Sequence, residues 1–220
     1  MYLSFDVGIR NLAFCLYDAP ERQIREWGVI DLGTNKNLED ITEALLEALT
    51  DRFEHHALEQ VLIENQPVMK NPRMKSIQMI IYTYFMMSRV IWGTNRSQND
   101  TGNMRVVFVS ATQKNKIAKR ILGYPVGTKL VYKEAKKSCV EATKALLAHL
   151  GAHESLAELQ ASPKKDDLAD AYMQVVAYLS NNNDQSPEIP VLPKPPSPRS
   201  VESNVSDSCM VGESTGMISS

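Results

Sequence analysis

Residues 2–17 read YLSFDVGIRNLAFCLY. Two short apolar runs, 2–7 and 12–17, flank the tetrapeptide Gly8-Ile9-Arg10-Asn11. That pattern predicts two antiparallel strands joined by a tight turn, with Gly8 in an unusual backbone conformation. Working outward, EWGVIDL at 26–32 predicts a third strand and completes an antiparallel meander. Asn37 can cap a helix whose apolar positions Leu38, Ile41, Leu45 and Leu49 recur at helical spacing. QVLIE at 60–64 reads as a short buried strand. A strand, crossover helix and strand should set it parallel to an earlier strand, with right-handed chirality.

Beyond Pro67 and Pro72, residues 74–92 predict a helix that is apolar nearly all round between 79 and 87. Such a helix lies at the centre of a core or at a subunit interface. Residues 93–103 are polar and read as a loop, and MRVVFV at 104–109 gives a fifth strand. Helical pattern returns at 130–150 and 163–179. The expected fold class is α/β: a meander extended by parallel strands into a five-stranded mixed sheet flanked by helices.

The chain has 220 residues, 24 bases and 26 acids. Residues 181–220 hold six of the eleven prolines, nine serines, two bases, five acids and no aromatic residue. A stretch of that composition cannot bury enough apolar surface to offset its ordering entropy, so it is expected to be a disordered tail. Without it, the expected folded domain, residues 1–180, carries 22 bases against 21 acids. The longest apolar run, 79–87, is too short to span a bilayer. No charged segment followed by an apolar one opens the chain, so secretion is not expected. Cys15, Cys139 and Cys209 are widely spaced and odd in number. They supply neither a zinc site nor a disulfide framework, and they point to a reducing, intracellular compartment.

The chemistry is concentrated in acids. Asp6 ends the first predicted strand and Glu64 the fourth, so parallel pairing would bring both carboxylates to one sheet edge, where open α/β sheets place their ligands. The last predicted helix adds Asp166, Asp167 and Asp170; Asp167 and Asp170, or Asp166 and Asp170, share a face. Like charges crowded beside a sheet destabilise it unless a cation neutralises them, and hard oxygen ligands favour Mg²⁺ or Mn²⁺. Singly, each acid has a plainer explanation: a turn residue at a strand end, or a carboxylate meeting a helix dipole. Asp170 is the hardest to dismiss, being one turn further in and beside two alanines.

Taken in order, FDVGIRNLAFCLYD, LIENQP and KKDDLADA resemble the three acidic motifs of RuvC-like Holliday-junction resolvases in the ribonuclease H superfamily, and most of all the poxvirus-type enzymes. The resemblance covers residues 1–180 and implies a ribonuclease H-like fold. It implies a metal-dependent endonuclease that resolves four-way junctions in branched DNA by paired cuts, leaving 5′-phosphate and 3′-hydroxyl ends. The implied catalytic and metal-binding acids are Asp6, Glu64, Asp167 and Asp170, with Asp166 a rival neighbour. Poxvirus-type enzymes also use a lysine between the second and third motifs, which implies Lys114, with Lys116 as the rival. Two Mg²⁺ ions about 4 Å apart would activate water and stabilise the leaving oxygen, and Mn²⁺ would substitute. The family further implies a homodimer and, if the chain is viral, a place in the host cytoplasm or at a replication site.

Between residues 105 and 144 ten bases face two acids. Lys116, Lys119 and Arg120 follow the fifth strand. Lys133, Lys137 and Lys144 fall on one face of the next helix, away from an apolar stripe of Tyr132, Ala135, Cys139, Ala142, Leu146 and Leu150. A local net charge of +8 in a nearly neutral chain points to a phosphate-binding surface that reads backbone and shape rather than bases. Two other readings stay open: a DNA-binding protein that kept the fold without catalysis, and a phosphate-binding ATPase or sugar kinase of the same superfold. The latter would need a second glycine-rich phosphate loop, which residues 65–220 do not offer.

Overall fold

The computed structural model describes residues 1–33, 36–69, 71–92 and 104–182. The predicted loop at 93–103 and all but the first two residues of the predicted tail lie outside the described residues. The opening stretch forms β1 (Tyr2–Asp6), β2 (Leu12–Asp18) and β3 (Gln23–Ile30), paired antiparallel in sequence order. Helix α1 (Leu38–Phe53) then crosses to β4 (Gln60–Glu64), which lies parallel to β1, and β5 (Arg105–Val109) lies parallel to β4. The resulting five-stranded sheet has the order β3-β2-β1-β4-β5.

Strand alternation splits the core into two layers. Leu3, Phe5, Val61 and Ile63 face α1 and α2 (Pro72–Met87) and pack with Leu45, Phe53, Ile81 and Phe85. Tyr2, Cys15, Tyr17 and Leu62 face the other side, against α3 (Ala111–Ile121), α4 (Tyr132–His149) and α6 (Lys165–Asn181), with α5 (His153–Ala161) bracing α4 and α6. Ser4, Asp6 and Glu64 share the second face by the same alternation.

Several expectations need correction. The tight turn does depend on Gly8, but through space rather than backbone angle: a Cβ there would meet the Asn11 carbonyl oxygen at 2.6 Å, and Gly8 is not among the positive-φ glycines. Asn37 caps α1 by accepting from the Asp40 amide at 2.8 Å, yet Leu38 is exposed, because it precedes the stripe of Ile41, Leu45, Leu49 and Phe53 that meets the sheet. The predicted 74–92 helix starts at Pro72 and ends in a π-helical turn, Ser88–Trp92. One face of α2 is buried through Ile77, Gln78, Ile81 and Phe85, while Met79 and Met87 are exposed. Helices α3 and α5 were not foreseen. In α3 four of eleven residues are Lys or Arg, so its apolar stripe is short and the basic side chains mask the period.

Candidate active site

β1 and β4 run side by side in register, Phe5 opposite Ile63, so Asp6 and Glu64, the last residues of their strands, sit together at the C-terminal edge of the sheet. Helix α6 begins at this edge and runs back over the sheet face, where Tyr178 reaches Gln60 and Tyr2 at the starts of β4 and β1. Asp167, Asp170 and Gln174 follow one another at helical spacing on the side that meets β1 and β4. Asp6, Glu64, Asp167 and Asp170 thereby line a single cleft of about 370 Å³, with Gly8, Arg10, Gln66, Lys114, Tyr132 and Lys136 among the other walls.

Lys114 stands among three of the acids. Its Nζ lies 3.0 Å from Asp6 Oδ1, 2.9 Å from Asp170 Oδ2 and 3.5 Å from Glu64 Oε1. The position follows from α3, which Ser110 caps by accepting from the Thr112 amide and which begins directly after β5. Lys114 is buried with Ile117, Ala118 and Ile121, whereas Lys116 is exposed. Of the two rival lysines, Lys114 is the one inside the cleft.

The two neighbouring acids also separate. Asp167 lines the cleft; Asp166 turns aside and binds Lys136 at 2.5 Å. Lys136 holds the Asp166 carboxyl below its ordinary value, outweighing burial. Burial, with the Asp166 charge adding to it, pushes Asp167 up to about 6. Glu64 is pushed up to about 8, by burial first and then by its hydrogen bond with Asp6. Burial also raises Asp170, against the pull of Lys114. Burial opposes ionisation of Asp6 too, but the Glu64 hydrogen bond and the Lys114 ammonium together hold it below the usual range. Three of the four cleft acids thus hold their protons more tightly than ordinary carboxyls, chiefly because they are buried.

Among the described residues, no three His, Cys, Asp or Glu side chains are gathered closely enough to enclose a metal ion. In this arrangement the Lys114 ammonium takes the contacts that a cation would make. The donor set nevertheless suits a hard divalent ion in kind: four carboxylates in one cleft, three of them with proton affinity raised chiefly by burial.

One residue of the site gave no signal in the motif reading. Gln174 is buried one turn beyond Asp170, and its Nε2 donates to Ser4 Oγ at 2.9 Å, the Phe5 carbonyl at 3.2 Å and the Leu62 carbonyl at 3.3 Å. A single amide thus ties the strand ends that carry Asp6 and Glu64 to the helix that carries Asp167 and Asp170. Its Oε1 is buried without a hydrogen-bond partner. The available signal was a lone amide in the apolar run LADAYMQVVAYL, four residues after Asp170.

None of the six expected DNA-binding bases lines this cleft. On α3, Lys116 and Arg120 are exposed, while Lys119 donates to the Thr128 carbonyl at 2.8 Å. On α4, Lys133 and Lys137 are exposed, and Lys144 is paired with Glu141 at 2.9 Å. The buried apolar stripe begins at Cys139; Ala135 is half buried beside the cleft, and Tyr132, at the start of the helix, is 76% exposed. The basic side chains lining the cleft are Lys114, Lys136 and Arg10.

No protein-family model matches the chain. An uncharacterized protein of Acanthamoeba polyphaga mimivirus is 34% identical over 138 residues, covering 61% of this chain and 32% of the relative. The chain thus spans about a third of the length of that relative. Among solved structures, the yeast mitochondrial Holliday junction resolvase Ydc2 superposes with a TM-score of 0.57 at 18% identity, covering 81% of this chain and 78% of that one. Fowlpox virus resolvase, solved with substrate Holliday junction DNA, gives 0.53 at 17% identity over 82% and 97% of the two chains. Thermus thermophilus RuvC gives 0.52 at 12% identity over 83% and 96%. The fold is therefore the ribonuclease H-like fold of the RuvC-like resolvases, as the three acidic motifs implied.

Proposed function

We propose that this chain is a metal-dependent, structure-selective endonuclease that resolves four-way DNA junctions by paired phosphodiester hydrolysis. The observation that carries this reading is the convergence of Asp6, Glu64, Asp167 and Asp170 on one cleft around Lys114, at the sheet edge of a fold shared with junction resolvases. Mg²⁺, or Mn²⁺ in its place, held by those four carboxylates would activate water and stabilise the leaving 3′-oxygen.

The chain's own groups do the remaining work. Lys114 neutralises the acids and can turn its ammonium towards a phosphate as cations enter. Gln174 holds the acid-bearing elements at fixed separation. Exposed Lys116, Arg120, Lys133 and Lys137, with Lys119 and Lys144 nearer to intramolecular partners, attract DNA through its phosphates. A homodimer would present two cuts to the two equivalent strands of a junction. The exposed side of α2, with Met79 and Met87, is the surface we assign to that contact.

Asp6→Asn and Asp170→Asn test the proposal by separating binding from chemistry. Both should abolish Mg²⁺-dependent cleavage while changing junction affinity by no more than a few-fold. Full cleavage by Asp170→Asn would refute the four-acid site.

A further inference from the structure

Asp166 has no part in the acid cleft, yet it is firmly held. Its carboxylate binds Lys136 Nζ at 2.5 Å, and that ammonium lies 5.6 Å from the centroid of the Tyr132 ring. Tyr132 opens α4, where Glu134 accepts from the Val131 amide at 3.1 Å and fixes the start of the helix. The ring is 76% exposed and borders the same cleft as Asp6, Glu64, Asp167 and Asp170. Val131 beside it is also exposed. A large aromatic side chain left in water, steadied by a neighbouring cation that is itself anchored, is preorganised for a flat partner.

We propose that Tyr132 is a stacking platform for an unstacked nucleobase next to the phosphate that enters the acid cleft, with Asp166 and Lys136 as its positioning residues. The inference rests on the nuclease reading. Every base presents a π-face, so a platform of this kind is indifferent to sequence. It is not indifferent to structure: bases at a branch point can unstack at small cost, whereas those within a duplex are paired and stacked on both sides. Tyr132 would thus contribute selectivity for branched DNA, a task that the lysines, which meet phosphates common to all DNA, cannot perform. It also gives the second acid of the Asp166-Asp167 pair a use. Asp167 faces the reaction, and Asp166 holds Lys136, which lies 3.9 Å from Asp167, beside the ring.

The experiment compares wild type with Tyr132→Phe, Tyr132→Ala and Tyr132→Leu in Ca²⁺, on a four-way junction carrying 2-aminopurine at branch positions and on a matched duplex. Tyr132→Ala and Tyr132→Leu should weaken junction binding about tenfold, leave duplex binding and the salt dependence unchanged, and abolish the fluorescence change seen with wild type. Tyr132→Phe should behave as wild type. Leu keeps bulk without a π-face, so it carries the test if Ala disturbs the helix end. Equal loss on junction and duplex, a flattened salt slope, or wild-type junction affinity in both variants would overturn the stacking platform. If wild type cuts junctions and these variants bind and cut them equally well, only this inference fails. If wild type neither binds nor cuts, the nuclease reading fails with it.

Discussion

The ammonium of Lys114, on α3, lies 2.9 Å from a carboxylate oxygen of Asp170, on α6. The same ammonium reaches Asp6 and Glu64 on β1 and β4, so one buried cation holds together the three segments of chain that carry the acids. Removing it leaves those acids without their counter-charge. Lys114→Met should destabilise the metal-free protein by about 3–5 kcal/mol, more at pH 8 than at pH 5, as measured by denaturant titration. Added Mg²⁺ should restore more stability to the variant than to wild type. Equal stabilisation of the two would mean that Lys114 and the cation do not share the same acids.

The raised carboxyls make stability depend on pH with a definite sign. Glu64 titrates at about 8 in the folded chain against an ordinary 4.5, and Asp167 at about 6 against 3.8. Between those limits the folded state binds more protons than the unfolded one, so stability falls as pH rises. Metal-free melting temperature should therefore decline from pH 5 to pH 8 and flatten above it. Asp6, whose affinity for protons is lowered, contributes in the opposite direction, below that window. Glu64→Gln should remove most of the slope. A melting temperature that rises across the window would contradict the assignment.

Cation binding should release protons for the same reason. Mg²⁺ titrated calorimetrically at pH 7 in buffers of different ionisation enthalpy should reveal net proton release. The apparent affinity should tighten towards pH 8.5. An affinity independent of pH would exclude Glu64 from the ligands.

Gln174 predicts a split between folding and metal affinity. Gln174→Leu removes a buried amide whose Oε1 already lacks a partner, so the protein should remain folded. The strand ends and α6 would lose their shared tie. Loss of such an orienting contact should weaken Mg²⁺ binding about tenfold, with junction affinity in Ca²⁺ nearly unchanged. Unaltered metal affinity would make Gln174 a packing residue.

Met87, 53% exposed on α2, tests the dimer contact. Met87→Lys should give a folded monomer by light scattering and circular dichroism that nicks junctions but rarely cuts both strands. A folded variant that remains dimeric would remove this helix from the interface. Tyr84 is the poorer choice, because it is half buried and donates to Thr50 Oγ1 at 3.2 Å.

Sheet and acids were legible because their signals are local. The Gly8 turn, the strand ends at Asp6 and Glu64, and the spacing of Asp167 and Asp170 each lie within a few residues. Parallel pairing of β1 with β4 followed from one crossover helix. What escaped depended on contacts distant in sequence. Lys114 was named only through the resemblance, since no periodicity encodes its contact with Asp6 across 108 positions, and Gln174, which meets Ser4 across 170, was not named at all. The choice of Asp167 over Asp166 as a cleft residue was settled by Lys136, one helix away. Tyr132 matched the apolar period of α4 but stands beyond the edge of the core, where the period no longer implies burial.

Cleavage of a four-way junction and of a duplex with the same arm sequence, under Mg²⁺ and under Ca²⁺, tests the central claim most directly. Paired incision of the junction in Mg²⁺, with 5′-phosphate and 3′-hydroxyl ends, an intact duplex and no cutting in Ca²⁺ is the predicted result. Junction binding without incision in any divalent cation, or equal cutting of junction and duplex, would contradict it.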